Sequence, residues 1–108
     1  MAITNSLISL GQTTAIFTAT NDSAITTMIF CNTDTVDDLL TVYVVGQDNL
    51  GNPSTVGPAT TILYELPLPA SETFTLDTEK LILSAGDTIY AQSSATPNVA
   101  ATISSVNI

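Results

Sequence analysis

Apolar and polar residues alternate along much of this chain with a period of two, the spacing of a pleated strand that buries one face. In Glu72-Thr73-Phe74-Thr75-Leu76-Asp77 the alternation directs Phe74 and Leu76 to one side and the threonines to the other. The same pattern directs Leu40, Val42 and Val44 inward from residues 39–45, and Ile89 and Ala91 inward from residues 87–93, with Tyr90 turned outward or into an interface. Ile62, Tyr64 and Leu66 are expected to share one face of residues 60–66, as are Val99, Ala101 and Ile103 near the C-terminus. Residues 24–31 are apolar on both faces, which predicts a central strand covered on two sides, with Cys31 as a small buried hydrophobe within it.

Helical periodicity is absent, because no window repeats apolar residues at three-and-four spacing and strong helix formers are scarce. Nineteen threonines, scattered among Val, Ile, Phe and Tyr, favour strands instead, since a β-branched side chain fits a pleated surface better than a helical turn. Asn, Asp, Ser, Gly and Pro cluster at residues 20–23, 32–35, 67–71, 84–87 and 96–98 and break the chain about every ten to twelve residues. The expectation is all-β: one domain over residues 1–108, a two-sheet antiparallel sandwich of eight or nine short strands. Jelly-roll and immunoglobulin-like topologies both fit the alternation. The longest irregular stretch, residues 46–58, holds three of the five glycines and two of the five prolines, and is a candidate contact loop. Residues 1–12 are a candidate N-terminal arm.

Composition narrows what such a sandwich can do. Lys80 is the only basic residue among 108, against ten carboxylates, and the net charge is −9. The charged fraction is 10%, against about 25% in an average domain, so the acidity comes from missing bases and not from an acidic block. A surface of this kind repels phosphates and anionic headgroups, which argues against nucleic acid and membrane surfaces as partners. No apolar stretch approaches the roughly 20 residues of a membrane span, and the N-terminal segment lacks a basic start with a continuous apolar centre. The chain is therefore expected to be neither membrane-anchored nor exported by a standard signal.

The absence of histidine removes the commonest general base, and one cysteine cannot build a zinc site, so the chain reads as a non-enzyme without a cofactor. Calcium is the one ion the inventory suits, because it takes hard oxygen ligands. Its candidate ligands are Asn32, Asp34, Asp37 and Asp38. The same four residues also read as a solvated acidic turn whose side chains cap their own backbone. Lys80, in Asp77-Thr78-Glu79-Lys80-Leu81, is either a surface lysine or one half of an ion pair that fixes a turn or an interface. A sugar site needs exposed aromatics, and of Phe17, Phe30, Phe74, Tyr43, Tyr64 and Tyr90 most are expected on apolar strand faces.

Four runs carry a family resemblance. They are Ala24-Ile25-Thr26-Thr27-Met28-Ile29-Phe30-Cys31-Asn32-Thr33-Asp34, Pro69-Ala70-Ser71-Glu72-Thr73-Phe74, Asp77-Thr78-Glu79-Lys80-Leu81 and Ala85-Gly86-Asp87-Thr88-Ile89-Tyr90-Ala91-Gln92. Together they resemble small β-sandwich structural proteins of tailed-bacteriophage virions, over roughly residues 20 to 106. The resemblance implies a head decoration or cement protein, assembled in the host cytoplasm, that forms a homo-oligomer, often a trimer, and bridges subunits of the major capsid protein. Similar sandwiches occur in necks, tails and fibres, and a host-glycan-binding module is the other class of function considered. For a cement protein the expected contact residues are Ile3, Leu7 and Leu10 of the arm, Leu50 and Val56 of the long loop, and Lys80.

Overall fold

The computed structural model describes residues 2–47, 55–77 and 81–108. Its strands are β1 (Ala2–Ile8), β2 (Thr14–Thr18), β3 (Ser23–Asn32), β4 (Asp38–Val45), β5 (Thr61–Leu68), β6 (Thr73–Leu76), β7 (Leu81–Leu83), β8 (Thr88–Ser93) and β9 (Val99–Asn107). A 3-10 turn, Pro58–Thr60, precedes β5. Two antiparallel sheets pack face to face: sheet I in the order β1-β9-β3-β6, with β7 also on β3, and sheet II in the order β2-β8-β4-β5.

The pairing scheme chooses between the two topologies the sequence left open. Strands from the first half of the chain pair with strands from the second half in reverse order: β1 with β9, β2 with β8, β3 with β6 and β7, and β4 with β5. This is one long antiparallel hairpin rolled up, and the β3–β9 and β4–β8 pairings close the roll into two sheets. Successive strands β1 to β4 change sheet at every step, which is the jelly-roll arrangement and not the immunoglobulin one. Strands β6 and β7 lie in line along one edge of β3, opposite Met28–Cys31 and Ser23–Ile25 respectively.

Alternation places the core as expected over most of its length. Leu40, Val42, Ile89, Ala91, Val99, Ala101 and Ile103 are buried, and Val44, Phe74 and Leu76 pack partly buried against them. The turn between β7 and β8 requires glycine at Gly86, whose φ of 95° lies in the left-handed region and whose absent Cβ would collide with the Gln47 side chain.

Three expectations are corrected. Residues 2–8 are not a free arm but strand β1, paired with β9 along its whole length and anchored by the fully buried Ile8. Strand β3 is central in its sheet, yet only its inner face is covered by sheet II; Ile29 and Cys31 point outward and are half-buried, because Phe30 takes the inward position between them. The face shared by Ile62, Tyr64 and Leu66 is broken by a β-bulge. The register passes from Leu40↔Leu66 to Val42↔Leu63, so β5 spends one more residue than β4. Leu63 and Leu66 therefore both pack on the core, and Ile62 and Tyr64 are left on the outer face.

Candidate functional site

The acidic turn between β3 and β4 is occupied by its own backbone and neighbours. Asn32 is fully buried; its amide donates to the Val36 and Leu68 carbonyls at 2.9 and 3.0 Å, and its Oδ1 accepts from Asp34 N–H at 3.0 Å. Asp34 accepts from Thr35 N–H at 2.7 Å, from Asn98 Nδ2 at 3.0 Å and from Thr96 Oγ1. Asp37 accepts from Ala70 N–H at 2.9 Å. Asp38, 3% exposed, accepts from Ser93 Oγ at 2.7 Å, Ala95 N–H at 2.8 Å and Ser94 N–H at 3.0 Å. The four residues that read as candidate calcium ligands or as a self-capping acidic turn thus face four different sets of donors, two of which include N–H groups of the turn itself. No group of three or more acidic, cysteine or histidine side chains is placed to hold a metal ion among the described residues. The cluster is a fastening: it ties the β3–β4 turn to the turn between β8 and β9.

The hydroxyl of Thr96, then the amide of Asn98 and the N–H of Thr35, hold the Asp34 carboxyl below its ordinary value of 3.8. A depressed folded-state value means that the stabilisation is present above pH 3.8 and is lost as the pH falls through the folded-state value. Asp34→Asn is accordingly expected to flatten the acid limb of the melting-temperature profile below that pH. Calorimetry from pH 5 downward checks it, and an acid limb identical to that of the parent would be the contrary result.

The outer face of sheet I is one of two candidate contact surfaces. With Val99, Ala101, Ile103 and Ser105 buried, the ladder turns Ala100, Thr102, Ser104 and Val106 of β9 outward, beside Leu7, Asn5 and Ile3 of β1. On the other side of β9 lie Cys31, Ile29, Thr27 and Ala24 of β3, and beyond them Thr73 and Thr75 of β6 and Ile82 of β7. None of these outward residues is charged. The described carboxylates lie in connections, except Asp38 at the first position of β4 and Glu65 in β5. Ile3, Leu7 and Ile82 are each at least 60% exposed.

The sequence-derived contact residues divide accordingly. Ile3 and Leu7 fall together on this face, with Ile82 at its opposite edge, where the sequence reading had not placed a contact residue. Leu10 is exposed but lies beyond β1, bridged to Ser93 at the end of β8. Val56 is half-buried ahead of the 3-10 turn. Leu50 and Lys80 lie outside the described residues.

The second surface is the outer face of sheet II, which carries all three tyrosines of the chain. Tyr43 of β4 stands directly opposite Tyr90 of β8 in the ladder, and Tyr43 and Tyr64 of β5 together line two adjoining hollows of about 380 and 220 Å³. Gly57, Pro58 and Thr61 complete the first; Thr41, Glu65, Gln92 and Ser94 are among the walls of the second. The expectation that most aromatics sit on apolar faces holds for Phe17, Phe30 and Phe74, which join the core; Tyr90 is turned outward as expected, and Tyr43 and Tyr64 stand on the same outer face.

Comparison with protein-family models, with the curated proteins and with solved structures gives no match. The two surfaces are therefore judged on their chemistry. No helix among the described residues is long and apolar enough to cross a membrane.

Proposed function

We propose that this chain is a structural protein of a tailed-bacteriophage virion, of the head decoration or cement kind, working as a homotrimer that bridges subunits of the major capsid protein. The observation that supports this reading is the outer face of sheet I, on which none of the described outward residues is charged, in a chain of net charge −9. Copies of so acidic a protein repel one another, and a contact that buried an unpaired carboxylate would cost several kcal/mol more. Sheet I offers a broad face on which neither penalty is concentrated: Ile3 and Leu7 at one edge, Ile82 at the other, and short or apolar neutral residues such as Thr102, Ser104, Ala100, Ile29 and Cys31 between them. Short neutral side chains lose less rotamer freedom on contact than long charged ones. The acidic connections at the ends of the sandwich are left for solvent or for a partner of opposite charge, and the resemblance names capsid subunits as that partner.

Purified protein is expected to run as a trimer in size-exclusion chromatography with light scattering. Leu7→Asp combined with Ile82→Asp should leave the circular dichroism spectrum unchanged, since both side chains are at least 60% exposed, and convert the trimer to monomer. Cys31, the only cysteine, sits on the same face, so its alkylation should be slow in the trimer and fast in the double variant. Heads carrying the protein should melt at higher temperature than heads lacking it, because selective binding to the assembled lattice shifts the equilibrium. A monomeric parent, or equal thermal stability of the two kinds of head, defeats the proposal. Cryo-microscopy separates a cement protein, present on the lattice in hundreds of copies, from a neck, tail or fibre protein confined to one ring or axis.

A further inference from the structure

We propose that the cleft between Tyr43 and Tyr64 on the outer face of sheet II is a binding site for neutral carbohydrate. The inference is independent of the virion assignment and of the sheet I contact, since it rests on the opposite face. It begins with the bulge in β5. A strand in regular alternation would turn Tyr64 and Leu66 to the same side; the extra residue lets Leu63 and Leu66 both reach the core and leaves Tyr64 outside, 74% exposed. Bulges of this kind re-aim a side chain at the cost of local pairing.

The bulge also carries strain. Glu65 has a φ of 47°, in the left-handed region that a long side chain occupies only under constraint, and its N–H is held by Thr41 Oγ1 from the neighbouring strand at 3.2 Å. The bulge seats both Leu63 and Leu66 on the core, but the exposure of a large aromatic at Tyr64 that comes with it contributes nothing there. That exposure makes sense as part of a contact surface.

The chemistry of the cleft selects the ligand. Tyr43 and Tyr64 are both walls of the two hollows, and the larger, about 380 Å³, falls in the size range of small-molecule sites. An aromatic ring offers a flat apolar face with a polar tip, which matches a pyranose: C–H groups on one face of the sugar, hydroxyls around its rim. Thr41, Thr61, Gln92 and Ser94 supply uncharged donors and acceptors, and Glu65 a carboxylate that can accept from sugar hydroxyls. Among the described residues the lining includes no cation, and the whole chain is at −9, so sulfated, phosphorylated or sialylated glycans are disfavoured.

The chain provides its own probe. It has no tryptophan, and its three tyrosines all lie on this face, so intrinsic tyrosine emission reports on this face alone. A neutral-glycan array is expected to give hits, and titration with the best neutral oligosaccharide should change tyrosine emission saturably. Tyr64→Ala should weaken that binding at least about tenfold, the loss typical of an aromatic anchor, and Tyr64→Phe should retain most of it. Because Tyr64 is largely exposed, the alanine variant should keep the parent's melting temperature, and Leu7→Asp, on the other sheet, should bind as the parent does. Three results would each overturn the proposal: no saturable response to any neutral glycan up to about 10 mM, hits confined to anionic glycans, or undiminished binding by Tyr64→Ala. None of them touches the trimer measurement.

Discussion

Replacing Asp38 by alanine should lower the unfolding free energy by about 3 kcal/mol, a large part of the stability of a small domain. The carboxylate is 3% exposed and accepts from Ser93 Oγ, Ser94 N–H and Ala95 N–H at 2.7 to 3.0 Å. Alanine removes the acceptor and leaves the two backbone donors of the β8–β9 turn without a partner, and an orphaned donor costs more than the net worth of the bond it made. Ser93 is affected least, because its single O–H lies between the Asp38 carboxylate and the Thr96 carbonyl and keeps the second acceptor when the first is gone. Asp38→Asn keeps one acceptor oxygen and should lose about half as much. Urea unfolding of the three proteins checks the order, and an alanine variant within about 0.5 kcal/mol of the parent would show that water replaces the carboxylate without cost. The variant should also loosen the smaller tyrosine hollow, since Ser94, which bonds Asp38, is one of its walls.

That network marks where sequence reading succeeds and where it stops. Period-two alternation is a local signal, and it located the inward residues of β4, β6, β8 and β9 because each of those strands has at least one partner, β8, β3, β4 and β1 respectively, with which its ladder is uninterrupted. It failed in β5, where the deciding event is an extra residue facing a partner strand more than 20 positions away in sequence. Nothing in Leu63-Tyr64-Glu65-Leu66 announces a bulge, because Glu65 is an ordinary residue held at positive φ by Thr41. The tyrosine cleft was invisible for the same reason: its walls come from β4 and β5, with the residues between Val45 and Pro58 separating them in sequence.

The acidic turn shows a different limit. Four Asn and Asp side chains within seven residues suggest either a cation site or a turn that caps its own backbone; the Asp34 and Thr35 N–H groups do cap locally, but the remaining partners, the Leu68 carbonyl, the Ala70 N–H and groups of residues 93–98, are ones that only the fold brings near. By contrast, the neutral face of sheet I was half legible. Ile3 and Leu7 stood out as apolar residues without a core to join, and the register of β1 on β9 turned the expected arm into the edge of a flat surface. Ile82 completes that surface only because β7 pairs with β3, a contact that no local pattern reveals.

Phe30→Ala is expected to be the most damaging single core truncation, costing about 3 to 5 kcal/mol. Phe30 is the largest fully buried side chain; it stands in central β3, opposite Ala101 of β9 on one side and Phe74 of β6 on the other. The rigid backbone of three paired strands cannot collapse into the space vacated, so both the transfer free energy and the cavity term are lost. Phe30→Leu, which leaves most of the volume filled, should cost less than half as much. Equilibrium unfolding followed by circular dichroism gives both numbers, and equal losses for the two variants would mean that the ring's shape, and not the cavity, sets the cost. The consequence reaches both contact surfaces, because Phe30 is flanked by the outward Ile29 and Cys31 of the neutral face and packs in the one core that holds the tyrosine-bearing sheet against it. Self-association and tyrosine-cleft binding should therefore fail together along the unfolding curve of Phe30→Ala, whereas the Leu7→Asp and Ile82→Asp double variant should lose only the first and Tyr64→Ala should weaken only the second.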